Sequence, residues 1–447
     1  MDSTSLLAKY DRPAPRYTSY PTALELDPSF DVTRYTQKLE GERARGRPIS
    51  LYAHVPFCRM ACAYCGCSRI IAPKSDRATS YLERITKEIA MQGALVGPAR
   101  PVMQLSLGGG TPTFLDDAQL ERLITAMERA FSFDPRADRS IEIDPRTVDR
   151  PRVLNLARMG FNRISLGVQD FDPRVQGLIR RLQPAALVRE VFDAAREAAI
   201  ASINFDLIYG LPGQTASTFE NTLDLVLGMR PDRIAVFGYA HLPSKFPMQR
   251  TFDPSELPSP ALRLALAQMA TARLVGAGYV HIGLDHFALP GDGLARAHAD
   301  GTMHRDFQGY STHASTDTIA CGPTAIGRVG RIYVQNAREI ADYNAAIDAG
   351  RLAIDRGMEL DDDDVARAEI IEALLCYGHV DIASVEARHG FELWPLFQDA
   401  LAPMAADGLV KIGAHDLTVT PLGRPFARVV CTAFDRYRGP KVHARSI

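Results

Sequence analysis

The chain has no long hydrophobic run. No apolar stretch approaches the roughly 18 residues that a membrane span needs, and Met1-Asp2-Ser3-Thr4-Ser5-Leu6-Leu7-Ala8-Lys9 has no apolar core of the signal-peptide kind. The expectation is a cytoplasmic protein with no membrane partner. Charge of one sign is missing too: Lys+Arg at 51 against Asp+Glu at 53 leaves −2 over 447 residues. Bulk electrostatics therefore gives no reason to expect nucleic acid, although a local basic patch for a small anionic substrate stays open. Cysteine is scarce, at 7 residues, and the odd count argues against a disulfide framework. The one glycine-rich tract carries neither a G-x-G-x-x-G fingerprint nor a Walker A lysine, which weakens dinucleotide and nucleoside triphosphate readings.

What is present is ordinary globular composition, 46% hydrophobic and 23% charged, on a chain long enough for two or three domains of about 150 residues. From 49 to about 340, short β-type runs alternate with amphipathic helices. The strand candidates are Ile49 to Val55, Val102 to Leu107, Ser140 to Ile143, Arg163 to Val168, Ile203 to Ile208, Ile234 to Tyr239 and Tyr279 to Gly283. Leu187 to Ala199 and Leu262 to Leu274 show helical spacing. Strands separated by helices predict right-handed βαβ units and a parallel α/β sheet or barrel, with chemistry at the strand C-termini. Residues 1–48 differ, because Pro13 to Pro21 is too proline-rich for regular structure and reads as an extended arm. After an acidic junction at Glu359 to Asp364, three helical segments (Val365 to Cys376, Ile382 to His389, Trp394 to Ala406) and a hairpin (Leu409 to Ile412 with Leu417 to Thr420) predict a small helical domain. It resembles a winged helix without a basic recognition helix, which disfavours DNA binding. The divisions expected are 1–48, 49–355 and 356–447.

Four of the seven cysteines, Cys58, Cys62, Cys65 and Cys67, crowd the loop after the first strand as C-x3-C-x2-C-x-C. Thiolates are the usual ligands of iron–sulfur clusters, and a short irregular loop can aim several at one centre. Structural zinc prefers two separated pairs, and no second pair exists; zinc and free structural cysteines remain as alternatives. C-x3-C-x2-C after the first strand of an α/β barrel resembles the radical S-adenosylmethionine superfamily. The resemblance implies a partial (β/α) barrel in which Cys58, Cys62 and Cys65 hold a [4Fe–4S] cluster whose fourth iron binds S-adenosylmethionine. Tyr64 would pack near that cosubstrate.

Polar signals follow the other strands, as such a barrel requires. Gly108-Gly109-Gly110-Thr111 follows the second, Glu142 and Asp144 the third, Gln169 and Asp170 the fourth, and Asp206 and Tyr209 the fifth. Carboxylates among strand-type residues are costly to bury without a partner, which ribose hydroxyls, an amino group or a neighbouring arginine could supply.

Pro15 to Ala23, Tyr52 to Phe57, Tyr239 to Pro243, His281 to Ala288 and Phe307 to Tyr310 make the similarity narrower and extend it over the whole chain. They resemble the oxygen-independent coproporphyrinogen III oxidase (dehydrogenase) family. The resemblance implies a monomeric enzyme of anaerobic haem synthesis. Two propionates of coproporphyrinogen III become vinyl groups by way of a 5′-deoxyadenosyl radical, with electrons from a donor such as a flavodoxin or ferredoxin. It implies one or two S-adenosylmethionines per site. Tyr52, Gly109, Glu142, Ala240 and Ile326 match the positions for the first; Tyr64, Gly110, Thr111, Gln169, Arg181 and Asp206 match those for the second. Cys67 is typical of the enzymes and absent from the haem-chaperone relatives. His54 beside the cluster loop suits proton or electron handling, and Arg16 would meet a propionate. The rival readings are a haem-modifying radical relative, a haem-carrying chaperone and a zinc-bound regulator. Three places depart from the family's usual sequence: Arg181-Leu182 for Arg-Glu, Gly238 for Asn, and Ser311 to Asp317. Cys321, Cys376 and Cys431 read as buried apolar cysteines.

Overall fold

Apolar, β-branched runs become the strands of one twelve-stranded sheet. In chain order these are β1 Ile49–Val55, β2 Val102–Gly109, β3 Phe133–Ile143, β4 Arg163–Gln169, β5 Ser202–Tyr209, β6 Arg233–Gly238, β7 Val280–Ile282, β8 His286–Ala288, β9 Asp317–Cys321, β10 Ile326–Val329, β11 Ile332–Asn336 and β12 Ile354–Glu359. The computed structural model describes residues 3–73, 76–313, 316–439 and 443–447. Across the sheet the order is β12-β11-β10-β9-β1-β2-β3-β4-β5-β6-β8-β7. From β9 to β6 every neighbouring pair is parallel. Antiparallel strands extend both sides, β10 to β12 on one and β8 with β7 on the other. The sheet has two free edges, so the barrel is partial.

Helices cover the outer face. Ala185–Glu197 buries Val188, Val191, Phe192 and Ala195, and Pro260–Gly276 buries Leu264, Leu266, Ala270 and Leu274. These stripes join the buried residues of β1 to β6 in one core, except Leu264, which packs with the C-terminal region.

Three expectations need correction. Tyr279 to Gly283 is not a seventh parallel strand: β7 pairs antiparallel with β8, because only three residues separate them and so short a link can return the chain only alongside itself. β3 starts at Phe133, well before Ser140; the ladder jumps from Val102↔Phe133 to Gln104↔Asp138, and this irregularity accommodates Pro135, which has no N–H to donate. Trp394 to Ala406 is not one helix. A tight turn at Trp394–Leu396 precedes a helix over Gln398–Ala406.

Pro13 to Pro21 is irregular as expected, but helices Ser3–Tyr10 and Val32–Glu42 flank it. Leu6, Leu7, Tyr10, Tyr17 and Tyr20 share a core with Ile370, Leu374, Trp394 and Phe434, so the arm is packed on the C-terminal region. There, Asp361 caps the helix Asp362–Tyr377 by accepting from the Asp364 N–H, and Ile382–His389 follows. His379–Asp381 adds a third strand to the expected hairpin of Val410–Ile412 and Asp416–Val419. Among the described residues, no helix is long and apolar enough to cross a membrane.

Candidate functional site

β1 ends at Val55, and the chain turns at once into the cysteine loop. The short strands Phe57–Cys58 and Ile70–Ile71 pair in parallel and close the loop at its base. Arg69 then straps it from within: Nη1 reaches the Cys65 carbonyl at 3.1 Å and the Cys67 carbonyl at 3.4 Å, and Nη2 the Cys62 carbonyl at 3.2 Å. One guanidinium thus ties three carbonyls of a segment with almost no regular structure.

Each thiol has a distinct neighbourhood. Cys58 Sγ lies 3.3 Å from Thr111 Oγ1, and burial pushes the thiol up to about 11. Cys62 is buried, and its sulfur accepts from Arg181 Nη1 at 3.4 Å and Arg146 Nη2 at 3.5 Å. Cys65 Sγ accepts the Cys67 N–H at 3.4 Å; the bond with the Cys67 side chain, helped by Arg69 and opposed by burial, lowers the Cys65 thiol to about 6. Cys67 is exposed. Three thiols on one short irregular loop, with the Arg181 and Arg146 guanidiniums beside the Cys62 sulfur, are a donor set that fits an iron–sulfur cluster.

The glycine tract closing β2 faces this loop. At Gly109 a Cβ would stand 2.7 Å from the His54 ring, and φ is +113°, a conformation at which only glycine is unstrained. At Gly110 a Cβ would meet the Phe57 carbonyl oxygen at 2.7 Å. The Gly109 N–H donates to the Glu142 carboxylate at 3.2 Å. The tract brings backbone between the loop, His54 and Glu142, which a simple turn would not require.

Glu142 on β3 is open to the lumen, yet it lies deep among protein atoms. This environment, reinforced by Asp206, raises its carboxyl to about 7. Asp206 on β5 accepts from Ser165 and Asn204 at 2.8 Å each, and burial still raises it. Among the described residues neither carboxylate has an ion-pair partner, an arrangement that suits a cationic ligand. On β1, His54 Nε2 lies 3.1 Å from the Ser68 carbonyl, which can only accept. Nε2 therefore carries the proton, and Nδ1 accepts from the Tyr52 hydroxyl at 3.1 Å. Burial lowers this imidazole to about 4, so it is neutral. Tyr52, His54, Glu142, Asp206, Phe237 and Ile326 border a cavity of about 650 Å³.

The remaining expected residues divide between two places. Beside the loop, buried Arg181 donates to Asp144 at 3.0 Å and to the Gly167 carbonyl at 2.7 Å as well as to Cys62, while Gln169 ends β4 with φ +67°. Tyr64 packs with Ala63, Ile179 and Tyr239. The side chain of Gln249 joins the Tyr64 and Ala240 carbonyls at 3.0 Å each. Ala240 and Arg16, by contrast, line a second cavity of about 310 Å³. Arg16 donates to the Gly238 carbonyl at 2.8 Å, with its guanidinium 5.6 Å from the Phe237 ring centre. Arg69, Arg146 and Gln249 were not singled out by sequence. Only for Arg146, two residues after Asp144, was there a local cue. His241, His281, His286 and His304 are held by Tyr239, Arg424, Asp285 and Glu372 respectively, which gives each a structural role. Of the three departures, Leu182 is exposed, Gly238 lines the smaller cavity, and Ser311 and His313 bond to Gln104 and Asp138. Ala314 and Ser315 lie outside the described residues.

Two family models match: the radical SAM superfamily over residues 52–226 and the HemN C-terminal domain over 360–426. The oxygen-independent coproporphyrinogen III oxidase of Pseudomonas aeruginosa is 42% identical over 441 residues, covering 97% of this chain and 95% of that protein. The one from Escherichia coli is 41% identical over 436 residues with the same coverage. A solved structure of the Escherichia coli enzyme, described as a radical SAM enzyme, superposes with a TM-score of 0.91 at 40% identity, covering 98% of this chain and 100% of that one. The chain therefore belongs to the oxygen-independent coproporphyrinogen III oxidase family within the radical S-adenosylmethionine superfamily.

Proposed function

We propose that this chain converts two propionate side chains of coproporphyrinogen III to vinyl groups, giving protoporphyrinogen IX in anaerobic haem synthesis. The observation that supports it most is the juxtaposition at one end of the barrel: a four-cysteine loop against the glycine tract, the Gly109 N–H on Glu142, and Glu142 and Asp206 together on the wall of one lumen, without ion-pair partners among the described residues. A [4Fe–4S] cluster with S-adenosylmethionine supplies one-electron hydrogen abstraction when bound. Cys58, Cys62 and Cys65 would hold the cluster, with Arg181 and Arg146 stabilising negative charge on the Cys62 sulfur.

The other residues bind, orient and exclude water. Tyr52, Gly109, Glu142 and Ile326 would hold the first S-adenosylmethionine, Glu142 meeting its ammonium group. Ala240 belongs to this set by its position in the family and sits on the far wall. Tyr64, Gly110, Thr111, Gln169, Arg181 and Asp206 would serve a second molecule. Neutral His54, with its proton on Nε2, fixes the Tyr52 hydroxyl and lies within reach of a proton-transfer role. Cys67, accessible and with its N–H on the Cys65 sulfur, would act on the reacting substrate. The chain would work as a cytoplasmic monomer with no nucleic-acid or membrane partner, reduced by a flavodoxin or ferredoxin.

Anaerobic incubation with coproporphyrinogen III, S-adenosylmethionine and a reductant tests this activity. Methionine should accumulate alongside a product lacking two carboxyls. Methionine without decarboxylated tetrapyrrole would refute it.

A further inference from the structure

We propose that the smaller cavity is a carboxylate-binding annex that holds propionates of coproporphyrinogen III other than the one reacting. This rests on the substrate proposed above.

Arg16, Arg263, Arg305, Arg424 and Arg428 all line this cavity of about 310 Å³. Arg305 is buried, Arg263, Arg424 and Arg428 are half-buried, and Arg16 is exposed. Guanidiniums withdrawn from water ordinarily sit against carboxylates. Among the described residues, none of these five forms an ion pair. Arg16 donates to the Gly238 carbonyl at 2.8 Å, Arg263 to the Tyr239 carbonyl at 2.7 Å and Arg305 to the Tyr17 carbonyl at 3.2 Å. Arg428 donates to the Ala14 carbonyl at 3.3 Å, and Arg424 to His281 Nδ1 at 2.9 Å. Nε of Arg263 is buried without a partner. Asp285 is the one side-chain carboxylate on the wall, and His286 holds it at 2.7 Å. Burial, then the charge of Arg16, lowers Arg428 to about 10 against the opposing pull of Asp285.

The location ties the annex to the larger cavity. Consecutive residues of one strand face the two spaces: Phe237 the larger, Gly238 the smaller. Asp285 and His286 divide in the same way. Arg305 lines the smaller cavity with its guanidinium 4.5 Å from the ring centre of Tyr310, which lines the larger. The partition is one side-chain layer thick. A tetrapyrrole carries carboxylates around its rim, so a macrocycle in the larger cavity can present them to this wall. Guanidinium matches carboxylate geometry bidentately, and a space of about 310 Å³ is less than half that of the larger cavity, which suits side chains of the substrate better than its macrocycle.

Coproporphyrin III, the air-stable form with the same four propionates, is the probe, titrated into holoenzyme by fluorescence. Arg424→Gln and Arg428→Gln should each weaken binding about tenfold or more. Arg428→Lys should recover part of the loss. KM for coproporphyrinogen III should rise in parallel while kcat stays within about twofold. Arg428 also ties down the arm, so Arg424, whose side chain bonds among the described residues to His281 alone, is the safer variant for fold. Unchanged affinity in folded Arg424→Gln would overturn the annex even with wild-type turnover intact. Arginine-dependent binding by a wild type that never decarboxylates would keep the annex and overturn the activity.

Discussion

The two cavities that share the partition of Phe237, Gly238, Asp285 and His286 carry opposite unpaired charge. Among the described residues Glu142 and Asp206 on the larger have no ion-pair partner, and the guanidiniums of Arg163 and Arg233 on the same wall are taken by Asp138 and Asp292; the five guanidiniums on the smaller form no ion pair, and its one side-chain carboxylate, Asp285, is held by His286. Charge of opposite sign is thus left without an ion pair on the two sides of one wall. Fold stability alone would favour pairing them across it. Their separation indicates that each side awaits a ligand group of its own, an ammonium on one and carboxylates on the other.

The largest effect that would break this contrast is at the cysteine loop. Cys62→Ser should drop iron content from about four per chain to near zero in anaerobically reconstituted protein, and activity with it; retention of all the iron would remove the loop from the site. Next comes Gly109→Ala, which places a methyl 2.7 Å from the His54 ring at φ +113°. Thermal unfolding should show a loss of about 1–3 kcal/mol, and S-adenosylmethionine cleavage should fall by about 100-fold or more. Arg181→Met removes the donor at 3.4 Å from the Cys62 sulfur, so chelator competition should show iron retention weakened about 10- to 100-fold.

A smaller test separates ligand-seeking carboxyls from structural ones. Glu142 and Glu88 are both raised from 4.5 to about 7, chiefly by burial. Glu88, however, accepts from Tyr343 and Asn336 at 2.6 Å and from the Gly322 N–H at 2.7 Å, deep between β9 and β11. A raised carboxyl binds more protons folded than unfolded, so each contributes stability at low pH that is lost as pH climbs from 4.5 to about 7. Unfolding midpoints should fall by a few degrees across that window. Glu88→Gln or Glu142→Gln should each remove its own share. S-adenosylmethionine added to the holoenzyme should remove only the Glu142 share; if it removes that of Glu88 as well, the distinction fails.

The parallel half of the sheet was legible because buried strands read as apolar runs. β9 to β12 were not: Asp317, Arg328, Gln335 and Arg356 interrupt short strands whose pairing is set by tertiary contacts. The helices at Ser3–Tyr10 and Val32–Glu42 went unnoticed beside the prolines, which govern only residues 13 to 21. Spacing alone exposed the cysteine loop, because metal ligands must be close in sequence when the loop is short. Arg69 and Gln249 act through backbone carbonyls brought near by folding, which leaves no local pattern. The annex was hidden for the same reason, since Arg16, Arg263, Arg305, Arg424 and Arg428 meet only when the arm and the C-terminal region close on the barrel.

The most direct test of the central claim is electron paramagnetic resonance of the reduced, anaerobically reconstituted protein with and without S-adenosylmethionine. A [4Fe–4S] signal whose g-values shift on adding the cosubstrate is the predicted result. A cluster signal indifferent to S-adenosylmethionine, or no cluster signal, would contradict it.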